Sequence, residues 1–198
     1  SGNIYQSWST AAGCCGNRIF TRSTDAGQSF LTPVTIPNTP VWGTLDVAPD
    51  GTLYISGAAF QGAIYVSRST NAQDPQATPT FQTVTVDLGG NLRFSTGPNP
   101  AGLLGQVWLA VDPSSGPTAG WIYLLASVDP PGIDPLDVHF ARSTDGGVSW
   151  SPWRRVNDDP EGTNYWQWFA TMSTAPNGRI DAVWNDTRDT GIVNLSAL

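Results

Sequence analysis

Apolar and polar residues alternate in short runs along this chain, and each run is bounded by Gly, Pro, Asn or Asp. Alternation with a period of two places side chains on opposite faces of a half-buried strand, and the bounding residues are turn formers. Four segments open on a turn and continue into such a strand: residues 2–8, 50–56, 119–125 and 177–184. We term these strand B. Three of them follow another strand that closes on a Pro-containing turn, at 43–49, 107–113 and 169–176 (strand A). A loop of variable length leads to strand C at 18–21, 63–67 and 137–141, and strand D is expected at 34–36, 83–86 and 153–156. No stretch carries the longer apolar period of a helix.

Between strands C and D lies a repeated turn. Residues 142–150 read Arg-Ser-Thr-Asp-Gly-Gly-Val-Ser-Trp, and residues 22–30 read Arg-Ser-Thr-Asp-Ala-Gly-Gln-Ser-Phe. A third copy begins Arg68-Ser-Thr-Asn and reaches its aromatic at Phe81 after an insertion. The pattern Ser-x-Asp-x-Gly-x-x-Trp/Phe specifies a hairpin. Asp145 can accept hydrogen bonds from amides of its own turn, Gly147 can take the positive φ that an L-residue resists, and Trp150 can cover the turn. Ser23, Asp25, Gly27 and Phe30 stand where Ser143, Asp145, Gly147 and Trp150 stand, and all eight are expected to be structural. Arg22, Arg68 and Arg142 share one repeat position and the same expectation.

Four antiparallel strands per unit, repeated with uneven insertions, predict an all-β fold of β-propeller blades. The chain supplies B-C-D over 1–37, blades over 38–88 and 104–157, and a partial blade over 164–198 with a strand C beginning at 193–198. We expect one propeller domain, or part of one, of about three and a half blades. Closure has three routes: a longer chain, a compact four-bladed ring with incomplete end blades, or a homodimer in which the A-B end of one copy completes the start of the other.

The repeated turn resembles the Asp-box, or bacterial neuraminidase repeat, and the segments around it are similar to sialidase-like propellers. Such boxes also occur in xyloglucan-cleaving glycosidases, sortilin-type receptors and photosystem assembly factors, so they speak for the fold more than for one activity.

Strand direction sorts the loops. The C–D turns lie on one face of the disc, and the B–C and D–A loops lie on the other, where the non-repeating sequence collects. Irregular loops on a rigid scaffold are where binding residues concentrate. These loops hold Trp42, Phe60, Arg93, Glu161, Tyr165, Trp166, Trp168, Asp186 and Arg188. Exposed aromatic rings beside carboxylates and guanidinium groups suit a glycan, because a flat ring stacks on the apolar face of a pyranose while the charged groups meet its hydroxyls or a carboxylate. Arg93, Arg188, Trp42 and Trp166 are therefore the candidate substrate-binding residues. Trp166 also reads as inter-blade core, and Asp186 and Arg188 can instead brace their own loop. The resemblance implies a Tyr nucleophile assisted by a Glu, an Asp acid/base and three Arg on the substrate carboxylate. Tyr165, Glu161 and Asp186 are the candidates for the first three roles. The Phe/Tyr-Arg-Ile-Pro motif that supplies the first sialidase Arg is absent. A glycan-binding or glycoside-hydrolysing (exo-sialidase-type) propeller is thus expected, with a non-catalytic binding or assembly propeller as the alternative.

Composition narrows the partners. The chain has 198 residues, nine Arg and no Lys, sixteen acids of which only Glu161 is Glu, and a net charge of −7. An acidic protein without a basic stripe is a poor match for nucleic acid or anionic membrane. No apolar run is long enough to span a bilayer. The chain starts at Ser1 without a signal peptide and reads as a mature or excised product, secreted or at the cell surface. Asp129, Asp134 and Asp137 flank one oxygen-rich loop, and Asn157, Asp158, Asp159 and Glu161 form another; either can hold Ca²⁺, although neither has a strict ligand spacing and no metal site or other cofactor is assigned. His139, the single His, sits in a strand and reads as structural. The two Cys are neighbours, Cys14 and Cys15, which excludes spaced disulfide frameworks and zinc spacings and leaves either two thiols in a loop or a vicinal disulfide, which is strained and reducible.

Overall fold

The computed structural model describes residues 2–59, 62–93 and 105–190. Phe60 and the expected strand at 193–198 lie outside these residues. Twelve strands form four antiparallel sheets among the described residues. The first sheet pairs β1 (Ile4–Ser7) with β2 (Phe20–Ser23). The second has the order β3 (Leu45–Val47), β4 (Leu53–Ala58), β5 (Ile64–Ser69), β6 (Gln82–Val86). The third places β7 (Trp108–Val111), β8 (Ile122–Val128), β9 (Asp137–Ser143) and β10 (Arg154–Arg155) in the same A-B-C-D sequence. The fourth pairs β11 (Gln167–Thr174) with β12 (Ile180–Asp186). The fold is an all-β propeller of four-stranded antiparallel blades, and the sheets do not close into a ring.

Strand D is curtailed in two of the blades. Strand D of the first blade reduces to a single bridge between Phe20 and Val34. In the third blade D is two residues long, continued by the Val156 amide donating to the Val138 carbonyl at 2.8 Å. Pro33 and Pro152 each precede these stretches and carry no amide proton to extend the ladder.

The core lies between the sheets rather than within any of them. Ile19, Phe20, Ile36, Leu53, Ile55 and Ala72 bury the interface of the first and second sheets. Between the second and third, Ile64, Val66, Val86, Leu109, Val111, Ile122 and Leu124 do the same. Tyr123, Leu125 and Val138 meet Ala170 and Met172 between the third and fourth. This is why β4 and β8 are buried on both faces and carry apolar residues at successive positions, such as Leu124 and Leu125, instead of strict alternation.

The inner strands are tied to one another by side chains. Thr44 Oγ1 accepts from the Leu109 amide and Asp46 from the Val111 amide, both at 2.8 Å, and Thr174 Oγ1 donates to the Val111 carbonyl at 2.8 Å. Entry to the second blade requires close backbone approach: a Cβ on Gly43 would lie 2.1 Å from the Ser56 carbonyl oxygen. A side chain there would push the incoming strand off β4.

The repeated turn has one geometry in three copies. Ser143 Oγ donates to Asp145 (2.8 Å) and accepts from the Gly147 amide (2.9 Å), while Asp145 accepts from the Val148 and Ser149 amides and from Ser149 Oγ. Ser23, Asp25, Gly27 and Ser29 repeat these bonds in the first blade. In the second, Asn71 takes the acceptor role toward Ser69 and Thr80, so the insertion is spliced inside an intact turn. Gly147 has φ +81 and Gly27 φ +90, the left-handed conformation expected of them. Trp150 packs onto the core between the second and third sheets, whereas Phe30 remains 49% exposed.

The arginines at the head of the first two turns are staples between blades. Arg22, 4% exposed, donates to the carbonyls of Asn71, Ala72 and Ala77 in the next blade's turn. Arg68 donates to the Gly146 carbonyl of the following turn at 3.1 Å, beside Tyr54, whose hydroxyl donates to the same oxygen at 3.3 Å. In register, Tyr5 lies opposite Arg22, Tyr54 opposite Arg68 and Tyr123 opposite Arg142. Arg142 is exposed, and its guanidinium lies over the Trp121 ring at 4.9 Å with no carbonyl acceptor among the described residues.

Candidate functional site

Antiparallel pairing puts the repeated turns at one end of each blade and the B–C and D–A loops at the other. At that loop end, a pocket of about 420 Å³ opens where β1 finishes and the second blade begins; it is lined by Trp8, Ser9, Pro40, Trp42, Thr44 and Ser56, among others. Trp42 is half-buried with φ +55, a left-handed turn that carries the chain into β3. Trp8 is half-buried too, and its indole N–H is buried with no acceptor among the described residues. The lining is two aromatic rings with Ser and Thr hydroxyls and no charged side chain.

A second cluster sits at the loop end of the third and fourth blades. Arg93 lies with its guanidinium 4.9 Å from the centroid of the Trp166 ring, donates to the Pro135 carbonyl at 3.3 Å and stands 3.8 Å from Asp129. Trp166 is 9% exposed and packs on Leu136, so the inter-blade role holds for most of its surface while one face supports Arg93. Its amide donates to Thr187 Oγ1 at 2.9 Å, and Thr187 is 3% exposed.

Asp186 and Arg188 form the pair that the sequence left open. Arg188 Nη2 is 2.7 Å from Asp186 Oδ2, and its other terminal nitrogen meets Asp158. Asp186 is the last residue of β12 rather than a loop residue, and it also accepts from Gln167 Nε2 (3.2 Å) and from the Arg188 amide (2.8 Å). Burial pushes the Asp186 carboxyl up, but the Arg188 and Gln167 hydrogen bonds outweigh it and hold it below the ordinary carboxylate range. Asp158 is likewise held low by Arg188, and the two carboxylates hold Arg188 fully protonated. This arrangement is a brace: the guanidinium ties the 157–163 loop to the end of β12.

Tyr165 is half-buried and Glu161 is exposed; neither makes a hydrogen bond or ion pair among the described residues. Both precede β11 on the segment that Arg188 braces. Arg93 and Trp166 are thus brought together, as are Asp186 and Arg188, while Trp42 belongs to the separate pocket beside Trp8. Trp168, expected in the loop, lies in β11, opposite Asn185.

The two oxygen-rich loops are joined to each other. Asp134 accepts from the Gly162 amide at 2.6 Å and the Asn164 amide at 3.1 Å. Arg155 Nε lies 2.8 Å from Asp137 and its Nη2 3.1 Å from Asp159, and Asn157 donates to both carboxylates. Asp137 and Asp159 side chains are 5% and 3% exposed, so the positive charge that such buried carboxylates need comes from Arg155. Burial lowers the affinity of Arg155 for its proton, and the hydrogen bond and charge of Asp137, with Asp159, more than restore it. Among the described residues no group of three or more His, Cys, Asp or Glu side chains is arranged to hold a metal ion. His139 is 1% exposed, bonded through Nδ1 to the Leu88 carbonyl at 2.6 Å and stacked on Trp153 at 4.3 Å, in keeping with a structural role. Cys14 and Cys15 are joined as a disulfide.

Three features escaped sequence reasoning. Trp8 closes the expected strand 2–8 but lies one residue past β1, where it walls the pocket. The staples needed knowledge of which blades touch. The Arg155 network required the fold of two loops distant in sequence.

No protein family's sequence profile matches the chain, and no curated protein matches it. The fold, however, is that of sialidase propellers. The chain superposes on a point mutant of NanB sialidase from Streptococcus pneumoniae with a TM-score of 0.53 and 16% identity, over 83% of this chain and 23% of that one. A protein of unknown function from Dyadobacter fermentans aligns with a TM-score of 0.47 and 14% identity over 83% of this chain and 43% of that one. A Hadza microbial sialidase aligns with a TM-score of 0.40 and 20% identity over 75% of this chain and 35% of that one. The chain therefore spans about a quarter of the NanB structure, and at these identities the likeness concerns the fold. No helix among the described residues is long and apolar enough to cross a membrane.

Proposed function

We propose that this chain is the glycan-binding part of an Asp-box, sialidase-like propeller that works outside the cell and holds its ligand on the loop end, opposite the repeated turns. The observation that carries this reading is the pocket of about 420 Å³ between Trp8 and Trp42, where a sugar can pack against indole beside the hydroxyls of Ser7 and Ser9, those of Thr44 and Ser56 being engaged within the fold. Its size falls within the roughly 300–1,000 Å³ of ordinary ligand sites. Arg93, held over the Trp166 ring, offers a pre-oriented cation for an acidic group of the same glycan. A ring completed by a further segment or by a second copy would set these two sites around one axis, with blades at 38–88 and 104–157 and partial blades at either end.

Hydrolysis by Tyr165 as nucleophile, Glu161 as its partner and Asp186 as acid is the second reading. The unengaged hydroxyl of Tyr165 favours it. Asp186 speaks against it, since an acid must hold its proton near the working pH and the Arg188 bonds keep this carboxyl ionised. A non-catalytic propeller that binds a protein partner through the same loops is the third.

A glycan array and a fluorogenic sialoside assay on the purified chain separate these. The binding reading expects array signals that fall at least about tenfold for Trp42→Ala, as loss of one stacking platform implies, with no turnover. Turnover abolished in Tyr165→Phe would establish the hydrolytic reading instead. An array with no signal above background, from a chain that melts cooperatively, would defeat the glycan assignment.

A further inference from the structure

The vicinal cysteines are the most unusual pair in the sequence, and the glycan reading makes no use of them. They lie at the tip of a loop that closes on itself. At its base the Trp8 amide donates to the Ile19 carbonyl at 3.1 Å. Ser9 caps a single 3-10 turn (Thr10–Ala12), with its Oγ accepting from the Ala11 amide and its carbonyl from the Ala12 amide. At the far side the Cys15 carbonyl accepts twice from Arg18, from the amide at 3.2 Å and from Nε at 3.3 Å. Trp8 and Ser9 are at the same time the wall of the Trp8–Trp42 pocket.

A disulfide between neighbours is bound by the peptide link. The two Cα atoms are 3.8 Å apart, short of the roughly 4.4–6.8 Å that disulfides usually span. Around the pair the backbone is left-handed, with φ +68 at Cys15 and +60 at Gly16, following Gly13 (φ +75), which caps the 3-10 turn. Glycine takes that conformation freely, but Cys15 is an L-residue with a Cβ. Cys15 is therefore held at positive φ, and its position is what aims its carbonyl at Arg18. Cys14 is exposed and Cys15 half-buried, so the pair lies at the surface of the loop.

From this geometry we infer that Cys14–Cys15 is a thiol–disulfide exchange site for small dithiol reductants, and that its reduction loosens the loop walling the Trp8–Trp42 pocket. A thiolate of the reductant attacks Cys14 Sγ. The Cys14–Cys15 bond breaks, a mixed disulfide forms on Cys14, and Cys15 leaves as a thiolate that takes up a proton. The second thiol of the reductant then attacks its own mixed-disulfide sulfur and expels Cys14, which is protonated in turn. The protein gains two electrons and two protons, and the reductant departs as a cyclic disulfide. Cys15 is then free to leave positive φ, its carbonyl turns away from Arg18, and only the Trp8–Ile19 bond closes the loop. The inference holds whatever the pocket binds.

The test is a titration of the folded protein with dithiothreitol, followed by alkylation and intact mass, with amide hydrogen exchange read in parallel. We expect two alkyl groups to be added to Cys14 and Cys15 while the β8 amides remain protected, and the Arg18 amide to exchange at least about tenfold faster, as local opening implies. Reoxidation should restore protection. A Cys14→Ser/Cys15→Ser double variant should exchange like the reduced protein and ignore dithiothreitol. Alkylation that appears only together with loss of β8 protection would overturn the exchange site. Reduction with Arg18 exchange unchanged, or a double variant that is protected like the oxidised protein, would overturn the loop mechanism. Changes confined to residues 8–19 also separate this outcome from any failure of the glycan reading.

Discussion

Three arginines occupy one repeat position, and their environments grade what each contributes. Arg22 is 4% exposed, and its fork reaches three carbonyls, of which that of Ala72 belongs to a fully buried residue. A hydrogen bond from a charged donor contributes about 1.5–3 kcal/mol, and a buried acceptor left bare forfeits a similar amount. The Asn71 and Ala77 carbonyls are only partly buried and can recruit water into the space an alanine leaves, so the Ala72 bond dominates. Adding about 1 kcal/mol for the buried aliphatic stem, Arg22→Ala should lose roughly 3–4 kcal/mol. Arg22→Lys should lose about half of that, because an ammonium cannot present a planar fork to three acceptors. Arg68 gives one bond to Gly146 and the rest to Gln82 near the surface, so Arg68→Ala should lose about 1 kcal/mol. Arg142 rests on Trp121 in the open, and Arg142→Ala should lose about 0.5–1 kcal/mol, the range for an exposed cation–π contact. Urea unfolding of the four variants, followed by tryptophan fluorescence and circular dichroism, measures the order directly. Equal losses at Arg22 and Arg142, or Arg22→Lys as stable as the parent, would refute the staple.

The acceptor carboxylates make an acid prediction. Hydrogen bonds from Ser149 and Ser143 hold Asp145 down to about 2, and Ser23 and Ser29 hold Asp25 lower still. A depressed folded-state value contributes stability above the unfolded value of about 3.9 and loses it as pH falls through the folded one. Melting temperature should therefore drop from pH 4 toward pH 2, and Asp25→Asn/Asp145→Asn should flatten that slope while folding at neutral pH, as Asn71 already does in the second copy; a slope identical to the parent's would count against it. Arg188→Ala should raise the pKa of Asp186 and free the 157–163 loop, seen by carboxyl NMR titration and faster exchange of the Thr187 amide; an unmoved titration would show that Gln167 and the residue-188 amide suffice to hold the carboxylate. Trp42→Ala should abolish array binding without lowering the melting temperature by more than a few degrees, since the ring is half-buried; wild-type binding by the variant would move the site to Arg93.

Strand order was legible because its signals are local. Alternation, turn glycines and the Ser-Asp-Gly turn each act within about ten residues, and the structure returns the A-B-C-D order in both complete blades. Pairing between blades was not legible in the same way, yet one trace of it stands in the sequence. A tyrosine follows each turn glycine by three residues at Gly2/Tyr5, Gly51/Tyr54 and Gly120/Tyr123, and the series ends at Asp181 after Gly178. Each tyrosine lies opposite the arginine of its blade's turn on the face that meets the next blade. The series stops at the strand whose outward neighbour is not among the described residues, where Val183 is 66% exposed.

The loop end was harder to read because charge does not announce whether it serves a ligand or a fold. Asp186 and Arg188 are two residues apart and Asp158 lies 30 residues upstream, so only the folded chain reveals that one guanidinium is shared between two carboxylates. The same holds for Arg155, whose partners come from both sides of the 129–163 region. With those charges committed to bracing, the proposed ligand groups are the indole rings and serine hydroxyls of the Trp8–Trp42 pocket and the guanidinium of Arg93. On the proposed binding reading such a set holds and orients a sugar. The hydrolytic reading would require Tyr165 and Glu161 to be served by a proton donor other than Asp186, whose carboxyl the Arg188 bonds hold below the ordinary range.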